Sequence, residues 1–200
     1  MNKKNPDTTA PQRDTRAEME REAAACRALF EGKTRDYGTS WRVLRLPSLT
    51  DQIFIKANRI RSIQESGENR VGDDLRGEFV AMVNYAMMAL MQMQLGPGEP
   101  LELPAARATQ LFDANLAATL DLMMAKNHDY GEAWRQMRIS SMVDLILMKL
   151  LRIKQIEDNG GRTEVSEGPE GGYRDIANYS LFCLVRLREA GEDENEKQAN

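Results

Sequence analysis

The 200-residue chain has a formal net charge of −4 and a pI near 5.3, which argues against an extended nucleic-acid-binding surface, because such surfaces are usually basic. Its hydrophobic fraction of 42% is sufficient for a buried core. No apolar stretch approaches the roughly 18 residues of a membrane span, and the polar amino-terminal residues lack the apolar run of a signal peptide. We therefore expect a cytoplasmic protein without membrane association, in which Cys26 and Cys183 remain reduced.

Six helices are predicted along the chain, in two groups of three. They span about Arg16–Thr34, Ser48–Gly67, Asp73–Gln94, Pro104–Asn127, Ser141–Gly160 and Tyr173–Glu189. Apolar residues recur at helical intervals, and no alternating run bounded by hairpin turns predicts a strand. The second helix of each group begins with Ser-x-x-Asp, a short-acid version of the capping box.

Breaks in the helical pattern divide the chain into segments. The sequence Gly-Pro-Gly-Glu-Pro at 96–100 is a strong helix breaker and predicts a linker over residues 96–104. The linker separates one unit at 16–95 from a second at 105–189. Residues 1–15 and the acidic residues 190–200 are polar and are predicted to be disordered tails.

The two groups of helices repeat one sequence. Lys-Thr-Arg-Asp-Tyr-Gly-Thr-Ser-Trp-Arg at 33–42 returns as Lys-Asn-His-Asp-Tyr-Gly-Glu-Ala-Trp-Arg at 126–135, a constant offset of 93 residues. Sixteen of 39 positions are identical between 29–67 and 122–160, and after one inserted residue Asn-Tyr at 84–85 matches 178–179. This tandem duplication predicts an all-α fold in which two three-helix units pack as a pseudo-two-fold helical bundle.

Polar residues shared by both copies are the candidate functional residues. The Asp-Tyr-Gly turn and the following tryptophan supply Asp36, Tyr37 and Trp41, then Asp129, Tyr130 and Trp134. Either each acid bonds the turn amides while the aromatic rings pack on the helix, or the acid lies beside a ligand cleft. Asp51 and Asp144 fall in the first predicted turn of the second helices, where capping would explain them.

The second helices carry paired cations, Lys56 with Arg59 and Lys149 with Arg152. The three-residue spacing places each pair on one helical face, which suits a phosphate or a carboxylate. The alternative is an ion pair back to the acid of the Asp-Tyr-Gly turn. Surface pairs of that kind contribute only about 0–1 kcal/mol.

The third helices carry an amide and an acid. Asn84 and Asn178 lie in apolar helices and therefore need a partner from the fold or from a ligand. Asp175 lies one turn before Asn178, whereas its aligned position in the first copy is Ala81. Glu78, three residues earlier, is the candidate substitute.

The order Lys-x-x-Asp-Tyr-Gly-x-x-Trp, Asp-x-x-x-x-Lys-x-x-Arg-Ile and Asn-Tyr resembles the nucleotide modification associated domain 1 family, over residues 30–90 and 123–188. Asp-Ile-Ala-Asn-Tyr at 175–179 matches the third element of that family, and Ala-Met-Val-Asn-Tyr at 81–85 lacks its acid. The resemblance implies an association with nucleotide or DNA-base modification. It implies a nucleotide, a modified base or a protein of a modification system as partner, and no particular reaction.

Two functions remain open at this point. In the first, a non-catalytic module binds a nucleotide or a phosphate-bearing base derivative, the turn aromatics stacking on the base and the cation pairs holding the phosphate. In the second, the chain resembles the all-α MazG-type nucleoside triphosphate pyrophosphohydrolases and uses Mg²⁺. The predicted metal ligands are then Asp36, Asp51, Glu78, Asp129, Asp144 and Asp175. The predicted helices lack the paired Glu-x-x-Glu and Glu-x-x-Asp ligands of that superfamily, so the sequence leaves catalysis undecided.

Overall fold

Six helices make up the fold seen in the computed structural model, which describes residues 14–199 except 71, 73, 97, 166 and 167, with side chains to residue 191. The helices are α1 (Thr15–Tyr37), α2 (Leu46–Ser66), α3 (Leu75–Gln94), α4 (Ala105–Tyr130), α5 (Ile139–Asp158) and α6 (Pro169–Ala199). Short 3-10 turns lie at Ser40–Val43 and Ala133–Gln136, and the described residues include no strand. The predicted all-α repeat is confirmed. None of the described helices has the length and apolarity needed to cross a membrane.

Helices α2 and α5 begin two residues before the predicted capping serines. They start at Leu46 and Ile139, and neither has a side-chain cap, so the predicted capping boxes are wrong. The carbonyls of Arg45 and Arg138 already accept the first helical hydrogen bonds. In α2, Pro47 follows at once, and its fixed φ suits a first helical turn.

The carboxyl-terminal helix is longer than predicted at both ends. It begins at Pro169, a residue favoured in the first helical turn, and continues to Ala199. Its last turns contain Glu, Lys, Gln and Ala, which all have high helix propensity. The sequence predicts a disordered tail over residues 190–200, and α6 extends through residues 190–199. Residues 1–13 of the other predicted tail lie outside the described residues, and α1 already begins at Thr15.

Helices α2 and α5 cross near the pseudo-two-fold axis. Lys154 on α5 donates to Asp51 on α2 at 2.7 Å, and Arg61 on α2 lies 3.7 Å from Asp144 on α5. The same offset of 93 residues relates the two pairs. Both acids lie in the second turn of their helices, so their assignment as capping residues is wrong. They connect the two repeats.

The central bundle consists of α2, α3, α5 and α6, with α3 packed on α6 and α2 packed on α5. Helices α1 and α4 lie antiparallel along its outside. Phe30 of α1 stacks on Phe112 of α4, with ring centroids 4.5 Å apart, and Arg27 forms an ion pair with Asp113 at 2.6 Å. This arrangement brings the end of α1 against the face of α3, where the candidate site lies.

Candidate functional site

A cavity of about 400 Å³ lies in the first repeat, between the end of α1, the 3-10 turn and the face of α3. We call it the first-repeat cavity. Its lining includes Lys33 and Tyr37 of α1, Trp41 of the turn, and Ala81, Asn84, Tyr85 and Met88 of α3. Small-molecule sites typically measure about 300–1,000 Å³ and combine apolar walls with a few polar groups. The size and lining fit a small ligand.

Two lining residues carry buried polar atoms that lack a hydrogen-bond partner among the described residues. They are Nε1 of Trp41 and Oδ1 of Asn84, in residues that are 8% and 5% exposed. A buried polar group without a partner costs about 1–3 kcal/mol. A ligand that offers an acceptor to the indole N–H and a donor to the amide oxygen would remove that cost.

The cation of the cavity is Lys33. Its side chain is exposed, and it forms no ion pair with any residue in the described part of the chain. Its neighbours on the cavity wall are aromatic, apolar or neutral polar residues. The cation at the cavity is therefore not held in an ion pair with a described residue.

The second repeat compensates the equivalent cation with an internal acid. Lys126, which corresponds to Lys33, donates to Asp175 at 2.8 Å, and Lys149 donates to the other carboxylate oxygen at 2.7 Å. Burial of Asp175 disfavours its charged form, but the two lysine hydrogen bonds outweigh burial and hold the pKa of the carboxyl below its ordinary value. Asp175 is therefore ionised at neutral pH and links α6 to α4 and α5.

The tryptophan of the second repeat has partners within the fold for both its indole N–H and its ring. Trp134 donates from Nε1 to Asn127 Oδ1 at 3.1 Å, and its ring stacks on Phe182 at 4.4 Å. Arg135 lies over the same ring at 4.3 Å. The equivalent positions in the first repeat are Thr34 and Met88, which supply neither the amide acceptor nor the aromatic face. Of these two indoles, Trp41 alone retains an N–H without a partner.

We expect the two tryptophans to respond differently to replacement by phenylalanine. Trp41→Phe removes a buried donor that has no partner, so the free energy of unfolding should stay the same or rise. Trp134→Phe removes a hydrogen bond and should lower it by about 0.5–1.5 kcal/mol. Urea denaturation of both variants under one condition measures the difference. A loss for Trp41→Phe as large as that for Trp134→Phe would contradict the assignment of an unpaired indole.

Three of the four predicted cations pair with acids of the third helices. Lys56 lies 3.2 Å from Glu78, and Arg59 donates to the same carboxylate. Glu78 thus takes the part of the acid missing at position 81, as the sequence suggested. Lys149 bonds Asp175, but Arg152 is exposed, forms no ion pair with the described residues and lines an open groove at the end of α5. The alternative pairing with the Asp-Tyr-Gly acids is wrong.

The acids of the two Asp-Tyr-Gly turns point to solvent. Asp36 and Asp129 are exposed, and Asp129 lies 3.3 Å from the ring of His128. Neither accepts a hydrogen bond from its turn within the described chain, so the prediction that they bond turn amides is wrong. Thr39 instead ties the first turn to the linker, donating to the Leu101 carbonyl at 2.8 Å. Tyr37 and Tyr130 are exposed as well.

The structure does not gather the six acids predicted as Mg²⁺ ligands. Among the described residues, no three carboxylate, histidine or cysteine side chains lie close enough together to hold a metal ion. Four of the acids are engaged with cations instead: Asp51, Asp144, Glu78 and Asp175.

Both cysteines are buried, and burial raises the pKa of the Cys26 and Cys183 thiols to about 12. They are therefore protonated and unreactive.

Two lysines of the site were not among the predicted site residues. Lys33 and Lys126 are the first residues of the repeated motif, and their identity at the same offset was the available signal. Tyr85, which lines the first-repeat cavity, follows the predicted Asn84 directly. The repeat therefore contained more of the site than the paired cations indicated.

The residues of the candidate site lie within segments that match a known family. A family model described as nucleotide modification associated domain 1 matches the chain twice, at residues 33–93 and 126–187. The chain belongs to this family. Each match begins at the lysine of the repeated motif, and the first includes Lys33, Trp41, Asn84 and Tyr85. The two matches confirm the tandem duplication, and no curated protein and no solved structure matches the chain.

Proposed function

We propose that the protein binds a nucleotide or a phosphate-bearing base derivative in the first-repeat cavity. The observation that carries the proposal is the combination, on one cavity, of Lys33, which forms no ion pair with a described residue, with unpartnered polar atoms of Trp41 and Asn84. A cation at the rim attracts a phosphate. The polar atoms suit the edge of a base, which carries both donors and acceptors. Membership of the family supports this class of ligand.

The walls of the cavity suit the ring of a base. Trp41 and the neighbouring residues Tyr37 and Tyr85 supply aromatic surface, and base–aromatic stacking contributes about 1–3 kcal/mol per base. The volume of about 400 Å³ suits a single nucleotide. The net charge of −4 opposes the binding of a long nucleic acid, so a free nucleotide is the favoured form.

The arrangement favours binding over Mg²⁺-dependent hydrolysis of a triphosphate. Of the six acids that hydrolysis would need as metal ligands, four lie in separate ion pairs within the described chain and two are exposed to solvent. A phosphate held by Lys33 alone requires no metal ion. We therefore expect that Mg²⁺ does not strengthen nucleotide binding.

Titration calorimetry and thermal shift with the full chain test the proposal. The ligands are nucleoside mono-, di- and triphosphates with ordinary and modified bases, each with and without Mg²⁺. A ligand that binds only the native state raises the melting temperature. We expect binding by at least one monophosphate without Mg²⁺, and a loss of at least about tenfold in affinity for Lys33→Met.

The repeat supplies a matched control. Lys126→Met changes the equivalent lysine but leaves Asp175 paired with Lys149, so nucleotide affinity should stay unchanged. The proposal is wrong if no nucleotide binds. It is also wrong if Lys126→Met weakens binding as much as Lys33→Met.

A further inference from the structure

The third helix of each repeat carries one acid, but the two acids occupy positions about one helical turn apart. With the single inserted residue, Ala81 aligns with Asp175 and Glu78 aligns with Gly172. Residues three apart share a helical face, so each repeat retains one acid on this face but at a different height. Side chains from one face of a helix reach different partners at different heights.

The displaced acid changes which lysine is neutralised. In the second repeat, Asp175 bridges Lys126 and Lys149 with distances of 2.8 and 2.7 Å. In the first repeat, Glu78 engages the second helix alone, through Lys56 and Arg59. The lysine of the first helix, Lys33, therefore has no ion pair with a described acid.

The position of the missing carboxylate lies on the wall of the first-repeat cavity. Ala81 and Lys33 both line this cavity, and alanine lacks the carboxylate that Asp175 places between two lysines. We propose that the ligand's own anionic group occupies this position, so that it takes the place beside Lys33 that Asp175 takes beside Lys126. This inference rests on the proposed function and specifies the part of the ligand that is recognised.

Two consequences define the ligand and the stoichiometry. A phosphorylated ligand binds more tightly than the corresponding nucleoside, because only the former carries the anion. Of the two equivalent positions, only that of the first repeat is open to an anion, because Asp175 fills that of the second repeat with its ion pairs to Lys126 and Lys149. In the second repeat Phe182 also covers Trp134.

The test exchanges the residue types at positions 81 and 175. The probes are inorganic phosphate and one nucleoside monophosphate. Calorimetry on the full chain should give one phosphate per wild-type chain. Ala81→Asp supplies the missing internal partner to Lys33 and should weaken phosphate binding by at least about tenfold. Asp175→Ala releases Lys126 and should add a second phosphate site. Lys33→Met should also weaken phosphate binding, because it removes the cation instead of adding an acid. This variant tests the inference even if Ala81→Asp does not fold.

The outcomes separate this inference from the proposed function. If phosphate binds and is lost in both Ala81→Asp and Lys33→Met while no nucleotide binds, the inference stands and the proposed function fails. If a nucleotide binds but Ala81→Asp retains wild-type affinity, the inference fails and the proposed function stands. Equal affinity for nucleoside and monophosphate, two phosphates per wild-type chain, or no phosphate binding at all would each overturn the inference.

Discussion

Replacement of Glu22 by alanine is expected to lower the free energy of unfolding by about 3–5 kcal/mol, the usual cost of removing one partner from a buried ion pair. Glu22 on α1 is 1% exposed. Its carboxylate accepts hydrogen bonds from Arg188 on α6 at 2.9 Å and from Arg76 on α3. The variant leaves both guanidinium groups without this carboxylate, and the Arg188 side chain is only 17% exposed. Urea denaturation followed by circular dichroism measures the loss.

An exposed acid on the same helix provides the first control. Glu20 pairs with Arg16 at 2.8 Å in an exposed i,i+4 arrangement, and exposed pairs contribute about 0–1 kcal/mol. Glu20→Ala should therefore change the free energy of unfolding by less than about 1 kcal/mol. Equal losses for Glu20→Ala and Glu22→Ala would show that Glu22 does not connect α1 to the bundle.

The other repeat offers a neutral replacement for the buried pair. The positions equivalent to Glu22 and Arg188 are Asn115 and Gln94, whose amides bond each other at 3.0 Å in both directions. The double variant Glu22→Asn with Arg188→Gln copies this amide pair and replaces both charged side chains by neutral ones. It should recover more than half of the stability lost in Glu22→Ala, because a bonded pair of neutral amides avoids the desolvation of a buried charge.

The duplicated sequence was enough to predict the architecture. A constant offset over 29–67 and 122–160 requires two similar units, and helical intervals without strand signals make them all-α. The ion pairs Asp51–Lys154 and Asp144–Arg61 obey the same offset across the axis. Each helix was therefore predictable. The predicted starts of α2 and α5 are two residues late, where serine resembled a cap, and α6 continues ten residues past its predicted end.

The partners of the charged residues were not predictable from the pattern. Spacing places Lys56 and Arg59 on one face, but whether that face meets the turn acid or the third helix depends on tertiary packing. In the structure Glu78 meets them, whereas Asp36 lies in solvent. The rotation of each helix about its axis, relative to its neighbours, decides which acid contacts a given cation. The spacing of residues in one sequence does not give this rotation.

The difference between the repeats was visible in the sequence, but its meaning required the structure. Thr34 in place of Asn127, and Met88 in place of Phe182, look like ordinary substitutions within a repeat. Packing shows that Asn127 accepts the hydrogen bond of Trp134 and that Phe182 covers the same ring. Small changes at contact positions thus leave the indole N–H of Trp41 without a partner among the described residues and give that of Trp134 an acceptor.

Replacement of Asp175 by alanine should give a stability loss that depends on pH. The carboxyl is largely buried, and although burial opposes its ionisation, the lysine hydrogen bonds lower its pKa in the folded state. A group with a lowered folded pKa stabilises the protein above its unfolded pKa, which is about 3.9 for aspartate, and the contribution disappears as the pH falls through the folded value. At neutral pH we expect a loss of about 1–3 kcal/mol, because one lysine partner reaches water.

The difference in the free energy of unfolding between wild type and Asp175→Ala should therefore be largest at pH 6–7 and should decrease below about pH 4. Urea denaturation across this range measures it. Asp121→Ala is the matched control, because Asp121 pairs with Arg16 at 3.2 Å on the exposed side of α4, and its gap should stay below about 1 kcal/mol. A gap for Asp175→Ala that is unchanged between pH 7 and pH 3 would mean that the carboxylate is not the charged partner of Lys126 and Lys149. The contrast with Lys33, which has no such internal acid, would then lose its basis.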